Sequence, residues 1–427
     1  MATIVESRAS CSAFVDQPIK EETPAVIDGN GSSNSSKLIL ARTLNTLDTQ
    51  HVLNEMSDIS DISSETDNDT VTLAAIDPWI VDGINVTRLF YQYRSKVRAM
   101  DELYVMETHL QEVLAAADIL FLAPDDHSRH MIDVFGLSSL SAICDHILAD
   151  LMPADAVDCK LKDDEFMEVI HIINALDDKT KSIREAKRDL LMLSSSMNGT
   201  KANVMEGIAN LLTKLPRHEI YNQDKIGEVE LQATYYDPFL SEIVADQEKN
   251  VALRWANKSL DDESDIRPDA IISTLVLHDL GHPVGFGEVK PDNSSTVKCA
   301  VNLDVFRLGI VSKRAIDKWG LRACLAFMIN GFVISFFIIT KRHDSFYTMI
   351  EIGSMTVASS LTTLHSFATM RNLNLLAAIS NSFWVNCNMS PSSANINPDG
   401  PNVVPISEYL KQMSKSSKKS RGQSSRY

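Results

Sequence analysis

Three residues in the C-terminal half have the types and spacing that phosphate-ester chemistry needs. Arg267-Pro268-Asp269 precedes one β-rich run, and Gly287-Glu288-Val289-Lys290 closes the next, with Glu288 nineteen positions after Asp269. Side chains alternate along a strand, so Glu288 and Lys290 face one side and Val289 the other, toward a core. If the Asp269 strand pairs with the Glu288 strand, the two carboxylates converge on one hard cation. Mg²⁺ (or Mn²⁺) accepts such a site, because it takes one or two carboxylates and fills its octahedron with waters and substrate phosphate. Hydrolysis of a phosphodiester needs a metal to polarise the phosphoryl group and a positioned water to attack it. Lys290 can position or activate that water and offset phosphate charge. The catalytic set expected is therefore Asp269, Glu288 and Lys290, with Asp269 and Glu288 as metal ligands.

These residues resemble the signature of the PD-(D/E)xK (restriction-endonuclease-like) nuclease superfamily, in which Pro-Asp is followed after a gap by Glu-x-Lys. The resemblance covers about 125 residues, from Gly227 to Ile352. Pro-Asp also occurs at Asp125, Asp292 and Asp399, but only Asp269 has the second element at the right distance. The resemblance implies a metal-dependent nuclease that acts on nucleic acid. It also implies a third metal-binding acid on the first core helix. Glu230 is the first choice, because it leads directly into an apolar run, and Glu228 is the other candidate. Both also suit the positive end of a helix as ordinary first-turn acids. The helix after Glu-x-Lys often contributes a polar or basic residue in that superfamily. Here it carries Asp304, Arg307 and Lys313, of which Arg307 and Lys313 are the candidates for substrate phosphate. The chain is also similar to a group of uncharacterised fungal proteins through Glu228–Leu231, Asp237–Leu240, Leu253–Asn257, Arg267–Asp269 and Gly287–Pro291. That likeness brings no activity with it. A catalytically inactive interaction protein on a nuclease fold, serving defence or a mobile element, therefore stands as the second function.

A rival motif is His278-Asp279-Leu280-Gly281-His282. It resembles the His-Asp segment of the HD-type metal phosphohydrolases, in which imidazole and carboxylate hold a catalytic metal. That family is all-helical, whereas Ala270–Leu277 is rich in β-branched residues, and Asp and Gly suit a turn between strands. Nucleotide loops of the Gly-x-x-x-x-Gly-Lys-Ser/Thr and Gly-x-Gly-x-x-Gly types are absent from the sequence.

The elements that must position these residues read as mixed α/β. A helix over Glu230–Val244, with a break at Asp237-Pro238, leads to strands Ala270–Leu277 and Val284–Lys290. A helix over Val301–Trp319 is followed by a hairpin of Ala323–Ile329 and Phe332–Thr340, then a strand near Tyr347–Ile352. This α-β-β-α-β-β-β order matches a restriction-endonuclease-like mixed-sheet core. Cys324–Thr340 has the length of a short membrane span, but Asn330-Gly331 at its middle predicts a hairpin turn instead, and no membrane partner is expected.

The whole chain has 427 residues and a net charge of −17, which excludes a wholly basic nucleic-acid coat but not a local basic surface. Residues 303–348 carry seven basic and three acidic residues, consistent with a phosphate-facing surface. Four regions are expected. Residues 1–78, with 13 acidic and 4 basic residues, form a disordered acidic leader. Residues 79–215 form a helical region, including Val97–Ala117 with Leu103, Met106, Leu110 and Leu114 on one face, and offer a surface to a protein partner. Residues 216–388 form the nuclease-like domain, and 389–427 a disordered basic tail. Six cysteines without a C-x-x-C pair fit a reducing, intracellular setting. The tail's Lys411, Lys415, Lys418, Lys419, Arg421 and Arg426 have the pattern of a nuclear address or a nucleic-acid arm.

Overall fold

The computed structural model describes residues 77–99, 108–153, 159–256, 266–291, 298–342 and 346–387. The expectations for the leader, the basic tail, Leu103 and Met106 lie outside the described residues.

The fold is mixed α/β. A small ladder of β1 (Ile80–Val81) and β2 (Ile84–Asn85) leads into helices α1 (Val86–Arg98), α2 (Leu110–Ala116) and the short strand β3 (Ile119–Leu122). Helices α3 (Arg129–Phe135), α4 (Leu137–Leu151), α5 (Asp163–Asp177), α6 (Ile183–Ser195) and α7 (Thr200–Leu211) follow. A helical turn at Glu228–Glu230 and a π-helical stretch at Leu231–Tyr236 lead into α8 (Asp237–Val244). Then come β4 (Val251–Trp255), β5 (Ala270–Val276), β6 (Asp279–Lys290), α9 (Lys298–Trp319), β7 (Ala323–Asn330), β8 (Val333–Arg342), β9 (Phe346–Thr356) and α10 (Met370–Asn386).

One seven-stranded sheet runs in the order β3-β9-β8-β7-β6-β5-β4. The β3–β9 and β6–β7 pairs are parallel and the rest antiparallel. Strands β7 and β8 read as near-continuous apolar runs because helices cover both faces of the sheet. Helix α9 crosses β6, β7 and β8 on one face and meets α2 there. Gly309 permits that approach, since a Cβ at this position would lie 3.0 Å from Leu114. Helices α8 and α10 cover the other face. Leu375 of α10 lies against Gly353, and Ser380 donates to the Ile243 carbonyl at 2.8 Å.

Several details differ from the expected order. The strand β4 adds an element beside β5, so the order after residue 216 is α-β-β-β-α-β-β-β. At five residues, Val251–Trp255 is too short for its periodicity to declare a strand. The helical region is not separate from the sheet, because its β3 is the edge strand beside β9. Pro238 causes no break. It sits in the first turn of α8, where a missing N–H costs nothing, and the irregularity is taken up by the π-helical turn before it. The β7–β8 loop is Gly331-Phe332, with Asn330 still paired to Val333. Gly331 alone of the two has positive φ, 58°, which is the pattern of a type II′ turn with glycine first. Among the described residues, no single helix is long and apolar enough to cross a membrane.

Candidate active site

The site forms where β5 begins and β6 ends. The Asp269 carboxylate stands one residue ahead of β5 and accepts from the Val289 backbone N–H at 2.9 Å. It replaces a strand carbonyl just beyond the last β5–β6 pair, Ala270 with Gly287. This bond brings Asp269 beside Glu288, near enough for its charge to act on the Glu288 carboxyl. Lys290 is held from the opposite side. Its carbonyl accepts from Gly331 N–H at 2.8 Å, and Gly331's own carbonyl accepts from the Tyr236 hydroxyl at 2.8 Å. The π-helical turn, the β7–β8 turn and the end of β6 are thereby fixed together.

Glycines let the strand lie close to its neighbours. A Cβ on Gly287 would sit 2.1 Å from the Phe327 ring, and one on Gly285 would sit 2.7 Å from Ile272. Val289 and Gly287 turn toward this packed face, while Glu288 and Lys290 turn toward α9, as alternation along a strand requires.

Four carboxyl groups act on Lys290: Asp304, Glu228, Glu288 and Asp269. Its Nζ lies 3.3 Å from Asp304 Oδ2 and 3.7 Å from Glu228 Oε1. Arg307 NH1 donates to Asp304 Oδ1 at 3.0 Å. The cluster therefore holds four acids against two cations, with Glu288 and Asp304 out of water. Burial is the main cause that pushes the Glu288 carboxyl well above the usual carboxylate range, with Asp304 and Asp269 adding like-charge repulsion. Burial also raises Asp304, against the opposing pull of Lys290 and Arg307. For Lys290, burial works downward, but the four carboxyls outweigh it and the ammonium is held above its ordinary value.

A divalent cation fits this donor set. Asp269 and Glu288 stand close enough to repel each other as carboxylates, and a bound ion would supply the charge that the cluster lacks. The site is not a ready-made cage. Among the described residues, no group of three or more His, Cys, Asp or Glu is arranged to hold a metal ion. Asp269 and Glu288 would supply the protein donors, with water and phosphate completing the shell.

The remaining sequence candidates divide clearly. Glu228, not Glu230, reaches Lys290. Glu230 is exposed, and its charge is felt instead by Tyr235. Arg307 belongs to the cluster through Asp304. Lys313 does not: six residues beyond Arg307 along α9, its Nζ donates to the Ala117 carbonyl at 2.9 Å, lies 3.5 Å from Asp118 and stacks over Tyr347. Lys313→Ala is expected to cost about 1 kcal/mol of stability and to leave nucleic-acid affinity unchanged. Chemical denaturation beside a binding titration checks both.

The basic excess of residues 303–348 does not make one surface either. Lys341 pairs with Asp317, and Arg342 is buried against the Trp79 ring. His278 and Asp279 lie at the exposed tip of the β5–β6 hairpin, and His282 meets Thr274 and Trp319. They sit on a strand pair rather than in the helical setting of the HD family. Asp304 is the residue whose role the sequence did not reveal. An acid at this helical position looks like ordinary surface until α9 is laid against β6.

Comparisons of the chain with protein-family models, with curated proteins and with solved structures find no match.

Proposed function

We propose that the protein is a metal-dependent nuclease with a restriction-endonuclease-like core, and that its site lies at Asp269, Glu288 and Lys290. The observation that carries this reading is the Asp269–Val289 bond, which sets the half-buried Asp269 beside the buried Glu288, with a lysine on the same strand face as Glu288. Asp269 and Glu288 hold Mg²⁺ or Mn²⁺, and the bound ion supplies Lewis-acid stabilisation of the phosphoryl oxygens. Lys290 keeps its proton, because the carboxyls around it outweigh its burial. Its role is that of a fixed cation that orients water and balances phosphate charge, not a base. Arg307 adds a second cation nearby, and nucleic acid is the partner.

Lys290→Ala is expected to lower cleavage by about 10²- to 10³-fold, as for the loss of one charge-stabilising donor, and to leave Mg²⁺ binding largely intact. Labelled single- and double-stranded DNA and RNA, incubated with Mg²⁺ or Mn²⁺, provide the test. Full cleavage by a clean Lys290→Ala preparation removes the lysine from the mechanism.

A second reading is favoured by one observation: Lys290 and Arg307 are already engaged by Asp304. On this reading the fold is a non-catalytic scaffold for interaction. Absence of cleavage from a folded protein on every substrate, with either metal, moves the assignment there.

A further inference from the structure

We propose that Asp304 is a positioning residue that joins Lys290 and Arg307 into one phosphate-binding cradle. The inference rests on the nuclease reading only for the source of the phosphate, a nucleic-acid backbone.

The geometry is specific. Asp304 projects from α9 with only 2% of its side chain exposed, and its two oxygens are divided between two cations. Oδ1 accepts from Arg307 NH1 at 3.0 Å. Oδ2 lies 3.3 Å from Lys290 Nζ, yet no well-aligned hydrogen bond reaches that buried oxygen. The cationic side chains are 29% and 32% exposed, so both retain a face toward solvent. A carboxylate this deeply buried loses its hydration and is costly unless it is paired. Stability alone would be served as well by an apolar residue at this place in α9.

What the carboxylate does provide is order. Lys and Arg are among the side chains that lose most rotamer freedom when they are fixed. Tying both to one buried anchor removes that loss before an anion arrives. Two flexible cations from different elements thus become one preset pair. Lys313 does not compete, because its ammonium is engaged at the α2–β3 junction.

A mere acidic neighbour would behave differently. Removing a negative charge beside two cations should only tighten anion binding, with each cation acting independently. A positioning carboxylate makes the two cations depend on each other.

The test is a double-mutant cycle on the full chain. Fluorescence anisotropy of a short labelled single-stranded oligonucleotide is measured with EDTA present, so no metal contributes. Lys290→Met and Arg307→Ala are made singly and together, in the wild-type background and with Asp304→Asn. Each single change is expected to weaken binding by about tenfold. The pair should weaken it by clearly less than the product, because either change already spoils the cradle. With Asp304→Asn this coupling should disappear. The salt slope of binding supplies a second readout, falling by about 0.7 for each phosphate that is no longer neutralised. If Asp304→Asn does not fold, the wild-type cycle and the salt slopes decide by themselves.

Strictly additive losses, coupling that survives Asp304→Asn, or no binding in EDTA would each overturn the cradle. The same preparations are then given Mg²⁺. Coupled binding without cleavage retires the nuclease reading and keeps the cradle, whereas cleavage without coupling does the reverse.

Discussion

Glu288→Gln is expected to abolish metal-dependent cleavage and, at the same time, to raise the melting temperature of the metal-free protein. Both effects follow from one placement. Glu288 is 5% exposed and is repelled by Asp304 and Asp269. In the unfolded chain its carboxyl ionises in the ordinary range; in the folded chain burial pushes that ionisation well upward. Between those two values the folded protein binds a proton that the unfolded chain has released. Stability is therefore fully present below the ordinary carboxylate range, and it is lost as pH rises through the folded titration.

Glutamine has the same shape and no charge to bury. It should gain about 1 to 3 kcal/mol at neutral pH, the usual scale for one uncompensated buried polar group. Cleavage should fall by about 10³-fold or more, because several kcal/mol of metal-derived stabilisation go with the ligand. The wild type makes a linked prediction: Mg²⁺ must displace the proton that burial favours on Glu288, so its affinity should rise with pH and its binding should release protons. Calorimetry in buffers of different ionisation enthalpy reads that release directly. A Glu288→Gln protein that melts lower than wild type and still cleaves would remove Glu288 from the site.

Gly287→Ala is expected to be the most damaging small substitution near the site. A methyl group there would stand 2.1 Å from two carbons of the Phe327 ring. A ring at a protein surface could swing away, but Phe327 is fully buried, with Trp255 and Phe336 at centroid distances of 6.1 and 6.4 Å. The strand or the ring must therefore shift within a close-packed layer. Overpacking of this kind costs about 2 to 4 kcal/mol, and the displaced strand is the one that bears Glu288 and Lys290. Gly227→Ala is the control, since nothing lies within 4 Å of a Cβ at that position. It should change stability by less than about 0.5 kcal/mol. Adding Phe327→Leu to Gly287→Ala should recover part of the loss, which denaturant melts and a double-mutant cycle can measure. Equal stability of the Gly287→Ala and Gly227→Ala proteins would mean that the ring is not seated as described.

Features that depend on neighbours along the chain were legible in the sequence. The alternation Gly287-Glu288-Val289-Lys290 puts an acid and a base on one strand face and a valine in the core, and Val289 is fully buried. The apolar runs on either side of Asn330-Gly331 specify a hairpin rather than a membrane span, because glycine readily takes the positive φ that the turn needs. The mixed α/β character follows from the same periodicities, although β4 is too short and β3 too isolated to be seen that way.

Which charges meet is a matter of packing. Glu228 and Glu230 are two residues apart at a helix start, and nothing local says which one will reach Lys290; the approach of that turn to the end of β6 selects Glu228. Arg307 and Lys313 lie on one helix with similar neighbours, yet one end of α9 meets the carboxyl cluster and the other meets Asp118 and Tyr347. Asp304 becomes visible only when α9 is placed against β6, because the energy of a charge is set by its burial and by partners in space. Residues adjacent in sequence specify strand and turn geometry; the electrostatics of the site come from elements that are distant in the chain and are brought together by packing.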